Sequence, residues 1–425
     1  MTTTSTRRPA PGRGKDATVT DTRPTLRRLR TLLASPVSSY YLLIGSTAAL
    51  VVIGLVMVLS ASMITAYKQE GSSFAVFTDQ AKYAAMGLVA AWLASRLPVL
   101  AWKRLAVPLL SGAILLQALV FSPMGLVKNG NRNWLRLLPG VTLQPSELTK
   151  LGLILVGAFF LARHQRELHR MRRVIVPYLV PFVAVTIALV LAGHDLGTAL
   201  VLLGIVGAVL FGAGVPRRVF VVAGAVAVAG VTFLVVTSGN RMGRIANWLS
   251  GSCTDPNGDC GQSVHGLYAL ADGGWWGVGL GASKEKWAWL PEAHNDFIFA
   301  IIGEELGLPG TFVILALFAL FATACVLLVM RSTDQFVRIT TVGVMAWVLG
   351  QAMINIGAVI GLLPVIGVPL PFVSAGGSAL VSTLVGVGVL VSCARHDPAA
   401  RAILATRPSV VHRSLAIFPR RRSRT

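Results

Sequence analysis

The chain has 425 residues, 54% of them hydrophobic and only 13% charged, with a mean hydropathy of +0.70. A soluble domain carries about 25% charged residues, so the composition excludes a soluble globular protein and describes a polytopic membrane protein. The net charge of +21 sits in two tails and short loops without interleaved aromatics, which is a membrane-topology pattern and gives no reason to expect a nucleic-acid partner.

In chain order, the N-terminal tail from Met1 to about Val37 holds eight Arg and Lys among Thr, Pro and Gly. Such a segment is expected to be disordered. The first apolar run is too far from the start, and too long, for a cleaved signal peptide, so an uncleaved signal-anchor is expected. Ten apolar runs are long enough to span a bilayer. They lie near 40–62, 77–95, 105–122, 145–162, 175–193, 196–214, 219–237, 308–330, 337–360 and 378–394. The eighth can start as early as Asp296, with a break at Gly307-Leu308-Pro309-Gly310. The expected fold is all-α, with about ten transmembrane helices over 38–395 and a large loop at 238–295 between spans seven and eight. No internal repeat is visible.

Placing the N-terminus inside puts 28 of the 38 Lys and Arg on the cytoplasmic side. An even number of spans returns the basic tail 396–425 to that side. Both tails can touch anionic membrane lipid. Three polar regions then face outward: Pro123–Gln144, Ser238–Asn295 and Leu362–Gly377. The second holds Trp248, Trp275, Trp276, Trp287 and Trp289 among glycines. Five interfacial aromatics in one long loop suggest a structured platform on the outer leaflet. Cys253 and Cys260 flank a polar turn there, and a disulfide is expected if the loop faces an oxidising compartment. A calcium loop built from Asp255, Asn257 and Asp259 fails, because Cys260 stands where Gly is needed and Gly266 where Glu is needed. Cys325 and Cys393 read as packing residues.

Three constellations carry the polar chemistry. The first is Gln144-Pro145-Ser146-Glu147-Leu148-Thr149-Lys150. Pro145 suits a first helical position, and Glu147 and Lys150 share a face about a turn into the bilayer. They form either a structural ion pair or the wall of a substrate groove, with Lys150 offered to an anionic head group. The second is His194-Asp195-Leu196-Gly197-Thr198, where Asp195 is either a helix cap or a cavity carboxylate able to take a divalent cation. The third runs from Leu290 through Glu292, His294 and Asp296 into Phe297-Ile298-Phe299-Ala300-Ile301-Ile302. Two further carboxylates, Glu304 and Glu305, follow. Asn295 or Asp296 can cap the helix, and an ionisable group at membrane depth is also a candidate functional residue. Arg241, Arg244, Lys284 and Lys286, with Arg132 and Arg136 from the earlier loop, suit a phosphorylated lipid. No Walker loop, Cys-x-x-Cys pair, Gly-x-Ser-x-Gly elbow or His-Glu-x-x-His is present, so chemistry driven by a bound nucleotide is not expected.

Together these stretches resemble the SEDS family (shape, elongation, division and sporulation), whose members polymerise peptidoglycan from lipid II. The matching text includes Gly54 to Ser62, Gln144 to Lys150, Asp195 to Ala199, Gly279 to Ser283 and Leu290 to Gly307. It also includes Asn355-Ile356-Gly357, Gly367 to Phe372 and Ser374 to Ser378. The likeness covers about Tyr40 to Arg395. Leu290-Pro291-Glu292-Ala293-His294 favours the division type over the elongation type. The Cys253–Cys260 insertion and the basic N-terminal tail look actinobacterial. The family often has Gln-Pro before the second acidic position, whereas Gly193-His194 precede Asp195 here.

The resemblance implies ten spans and a peptidoglycan glycosyltransferase of the plasma membrane, acting at the division septum with both termini cytoplasmic. It matches Asp296 to the family's essential loop aspartate, and Glu147, Lys150 and Asp195 to its other polar positions. The expected reaction joins disaccharide units on the outer leaflet with inversion and releases undecaprenyl pyrophosphate. Asp296 is the expected general base. The expected substrate contacts are Glu147, Lys150, Arg244, Lys284, Lys286 and His294. A magnesium or manganese ion near Asp195 and Asp296 is a further expectation. Expected partners are the polyprenyl-linked glycan, a class B penicillin-binding protein transpeptidase and other division proteins. A lipid II transporter is the rival reading, since intramembrane Glu147, Lys150 and Asp195 suit it too. A scaffold role for the tails is a third and does not exclude the first.

Overall fold

In lipid every backbone polar group must be satisfied internally, so long apolar runs become helices. In a computed structural model of the chain, the described residues are 35–403 except 129, 139–140, 237–238, 251–260, 288 and 398–399. Among them ten long helices match the ten apolar runs. They are α1 (Ser38–Glu70), α2 (Ala75–Arg96), α3 (Val99–Leu119), α4 (Pro145–Arg163), α5 (Ile175–Ala192), α6 (Leu196–Ala213) and α7 (Arg217–Val236). After two shorter helices, α8 (Gly239–Ser250) and α9 (Gly261–Gly273), come α10 (Ile298–Arg331), α11 (Gln335–Val359) and α12 (Ser378–His396). Eight helices are long and apolar enough to cross a membrane by length and composition. Both tails, and Cys253 and Cys260 with their expected disulfide, lie outside the described residues.

The core runs between α4 and α12. In each, 78% of the span is buried within the protein, against 28% for α3 and 22% for α5. The two outer helices therefore offer most of their surface to lipid. α2 packs along α12, α1 along α10, and α11 against both α4 and α6. The first part of α5 (Ile175–Ala184) is a wide-turn π-helix containing Pro177 and Pro181. Proline cannot donate to the helical ladder, which accounts for the altered turn.

α10 starts at Ile298, ten residues earlier than the main expected boundary. The expected break is a kink: Gly307 has φ 63° and ψ −161° inside the helix. That region is open essentially only to glycine. A Cβ there would also meet the Gly277 nitrogen at 2.5 Å. The kink lets the large loop press against the first two turns of α10.

The all-α expectation holds, with one small sheet added to it. The segment from Pro123 to Gln144 folds as a three-stranded antiparallel sheet of β1 (Gly125–Lys128), β2 (Asn131–Leu138) and β3 (Val141–Leu143). The sequence carries the signal in Asn129-Gly130 and Pro139-Gly140, set between short apolar-polar runs. The sheet lies over the turn between α5 and α6, where the Arg132 amide donates to the Gly193 carbonyl at 3.0 Å.

Candidate functional site

Asp296 sits where two loops are stitched together. The segment 290–297 enters α10, and the segment 362–377 joins α11 to α12. The Ala375 amide donates to the His294 carbonyl at 3.0 Å. The Ser374 hydroxyl donates to the Asn295 carbonyl at 2.6 Å and accepts from the Leu370 amide at 2.8 Å. Gln80 on α2 donates to the Ser374 carbonyl at 3.0 Å. Asn355, buried on α11, spans the two loops with one amide nitrogen. It donates to the Asp296 carbonyl at 2.7 Å and to the Val368 carbonyl at 2.8 Å.

These bonds hold the backbone on either side of Asp296 and at its own carbonyl. Asp296 lines a cavity of about 10 Å3 with Phe297, Asn355, Gly367 and Val368. That is room for one water-sized group, and equally for one hydroxyl. Gly367 has φ 75°, and a Cβ there would come 3.4 Å from the Asp296 carboxylate. Asn355 Oδ1 is buried without a protein hydrogen-bond partner, in a residue that lines the same cavity. Neither Asn295 nor Asp296 caps α10: its N-cap is Phe297, with no side-chain cap. The capping expectation is therefore corrected. His294, which was expected to contact substrate, is partly exposed beside Asp296.

Among the described residues, three that are not glycine have a left-handed backbone: His194, Glu292 and Phe372. Each belongs to one of the polar constellations or to the loop facing Asp296. Such conformations cost on the order of 1–3 kcal/mol each and collect at functional sites. His194 has φ 64°, which proline cannot adopt. The local turn therefore differs from the Gln-Pro version, while the carboxylate of Asp195 stays at the helix start.

That carboxylate is fully engaged. Asp195 caps α6, accepting from the Thr198 amide at 2.9 Å and the Thr198 hydroxyl at 2.8 Å. Asn133 on β2 donates to it at 2.7 Å and Gln144 at 3.4 Å. A metal would have to displace these donors. No group of three or more His, Cys, Asp or Glu among the described residues could hold a metal ion. The residues present do not fit a resident divalent ion at Asp195.

The Glu147–Lys150 pair is closed. Lys150 Nζ lies 2.6 Å from Glu147 Oε1, and the residues are 1% and 3% exposed. Trp347 of α11 presents its ring 5.8 Å from the ammonium, and Ser382 of α12 donates to Glu147 at 3.4 Å. The pair joins α4, α11 and α12 in the core, so the expectation that Lys150 meets an anionic head group is corrected in favour of the structural pair.

Lys286 is corrected for the same reason. It is 2% exposed, 3.0 Å from Glu305, and donates to the Gly281 carbonyl at 2.7 Å. Ser60 of α1 donates to Glu305 at 2.7 Å. Glu304 accepts from the Ser283 hydroxyl and the Lys284 amide, both at 2.6 Å. The two α10 carboxylates therefore tether the segment from Ser283 to Lys286. Polar residues buried within spans, such as Ser60 and Asn355, were the available signal for this bracing.

Lys284 is different: its side chain is 77% exposed, with Asp272 3.7 Å away. Arg244 lies on α8, but its side chain is outside the described residues. Arg132 is spent on the carbonyls of Val120, Phe121 and Ser122 at the end of α3. His265 on α9 pairs with Glu285 at 2.8 Å and stacks on Trp289. Burial raises the Glu285 carboxyl above its ordinary range, against the opposing pull of His265. Trp275, Trp276, Trp287 and Trp289 stay exposed, as a platform at a membrane interface requires.

Residues 40–398 match the family of cell cycle proteins that groups FtsW, RodA and SpoVE. The chain is 41% identical over 387 residues to a probable peptidoglycan glycosyltransferase FtsW of Mycobacterium tuberculosis, covering 91% of this chain and 73% of that one. It is 36% identical over 357 residues to stage V sporulation protein E of Bacillus subtilis, covering 84% and 97%. A solved chain from work on the structural coordination of polymerization and crosslinking by a peptidoglycan synthase complex superposes with a TM-score of 0.69. Its identity is 29%, over 84% of this chain and 97% of that one. The rod shape determining protein RodA of Thermus thermophilus superposes with a TM-score of 0.61 and 28% identity, covering 84% and 97%.

Proposed function

The chain belongs to the SEDS family of cell cycle proteins, that of FtsW, RodA and SpoVE, and from that premise we propose how its site polymerises lipid II. The protein is a multi-pass membrane peptidoglycan glycosyltransferase. A sugar 4-hydroxyl of lipid II attacks the anomeric carbon of the growing chain's terminal sugar. The new C–O bond forms as the bond to undecaprenyl pyrophosphate breaks, with inversion. The hydroxyl proton passes to Asp296. The leaving pyrophosphate is a stable anion, so no general acid is required, unlike a glycosidase. Lys284, whose side chain is exposed on the same large loop, is the cation we assign to meet it. A divalent ion, if used, would arrive with the pyrophosphate as part of the substrate.

The observation that carries this reading is Asp296 itself. Its backbone is fixed from two loops and α11, beside a space sized for one hydroxyl. The Lys and Arg bias favours both tails inside, which supports an outward-facing position for this end of the bundle, where lipid II would be consumed. A transpeptidase that crosslinks the product is the partner proposed, at the division septum.

The test uses purified full-length protein, labelled lipid II and a penicillin-blocked transpeptidase partner. Glycan chains on a gel support the polymerase. Absence of chains, with lipid II scrambled across liposomes, would favour the transporter.

Asn355 is a positioning residue in this scheme. Asn355→Leu keeps the volume but removes both donations, leaving two carbonyls unpaired. The turnover number is expected to fall about ten- to a hundredfold from misplacement of Asp296, with KM little changed. Unchanged turnover in a folded variant would show that the clamp does not position Asp296.

A further inference from the structure

The end of the bundle away from Asp296 holds a cavity that the reaction does not use. α2 and α12 begin beside the stitched loops, pack together, and end side by side. α2 has 22 residues, which is about 33 Å of helix at 1.5 Å per residue. Between the two helix ends lies a cavity of about 280 Å3 lined by Arg96, Arg395, His396 and Arg401. No carboxylate lines it, although Asp397 follows in the chain. Two hydrogen bonds shape it: Ser392 donates to the Leu97 carbonyl at 2.6 Å and Arg395 to the Ser95 carbonyl at 3.2 Å. Three arginines gathered at one concavity make a positive site, and the planar guanidinium fork matches phosphate oxygens.

The surroundings decide between a soluble anion and an amphiphile. The Arg96 guanidinium lies 4.9 Å over the ring of Trp92, which is 56% exposed. An exposed Trp near the end of a long helix with an apolar face is the residue expected at a membrane–water interface. From there the outer face of α2 is apolar and uncovered, with Leu88, Val89 and Leu93 exposed. A soluble anion would leave that face unused, whereas a lipid uses the cavity and the face together. We propose that this cavity binds the phosphate head group of an anionic glycerophospholipid, whose acyl chain lies along the exposed face of α2. The Lys and Arg bias assigns it to the cytoplasmic leaflet, where such lipids attract basic segments.

The test compares full-length wild type with Arg96→Gln/Arg401→Gln. Both positions are exposed, and the basic tails remain to supply any general attraction. In nanodiscs, replacing part of the phosphatidylcholine with phosphatidylglycerol should raise the wild-type thermal midpoint by several degrees. The variant should lose at least half of that shift. Native mass spectrometry should find at least tenfold less retained phosphatidylglycerol on the variant. Equal retention and equal shifts would overturn the proposal. So would full reproduction of the shift by millimolar inorganic phosphate in phosphatidylcholine discs, which would mean a free-anion site. If the variant does not fold, wild type is labelled with phosphatidylglycerol carrying a photoreactive acyl chain. Labelling within residues 85–100 supports the site, and labelling only elsewhere overturns it.

Discussion

Asp296→Ala is expected to abolish glycan polymerisation in a protein that still folds. General-base catalysis contributes on the order of 10²- to 10⁴-fold, so at least a hundredfold loss should be seen at saturating lipid II. The fold should survive because the bonds at this junction run through backbone carbonyls. Asn355 holds the Asp296 carbonyl, and Ser374 holds the Asn295 carbonyl; the substitution keeps both. The thermal midpoint should move by only a few degrees. Asp296→Asn sharpens the result, since it keeps the shape and the hydrogen-bonding capacity but not the basicity. It should be as inactive as Asp296→Ala. Substantial polymerisation by a well-folded Asp296→Asn protein would remove the general-base role and leave Asp296 a structural residue.

The second large effect should come from Lys286→Met. Lys286 and Glu305 are almost completely buried and 3.0 Å apart. Removing the ammonium leaves Glu305 as an uncompensated buried charge, with Ser60 still donating to it. Breaking such a pair costs about 3–5 kcal/mol. Unfolding should be measured with a double-mutant cycle of Lys286→Met, Glu305→Leu and the pair. The double variant should be more stable than either single one, because it removes both charges together. Singles that each lose under about 1 kcal/mol would show that water reaches the site. The effect should extend to activity, since Glu304 and Glu305 tether the segment that leads to Leu290 and Asp296.

The exposed and the buried cations of this loop could not be told apart from their surroundings in the chain. Lys284 and Lys286 are two residues apart and share the same neighbours, yet one is exposed and the other is sealed between α1 and α10. The difference depends on where Glu305 points just before the kink at Gly307, which brings the loop onto the helix. The same holds for Lys150. Its spacing from Glu147 made a shared helical face legible, but only the packing of Trp347 and Ser382 placed the pair inside the helical core.

By itself the sequence determined the membrane class, the ten long helices and the large loop between the seventh and eighth. Hydrophobic length and the cost of unpaired backbone in lipid are local properties, and the chain displays them directly. It also singled out Asp296, because a carboxylate running into an apolar helix is conspicuous. The tertiary structure alone decided that Asp195 is a fully engaged cap, and that Asn355, 59 positions away in the chain, clamps Asp296. It alone gathered Arg96, Arg395, His396 and Arg401 around one cavity. Such partnerships join residues far apart in the chain, so their geometry exists only once the helices have packed.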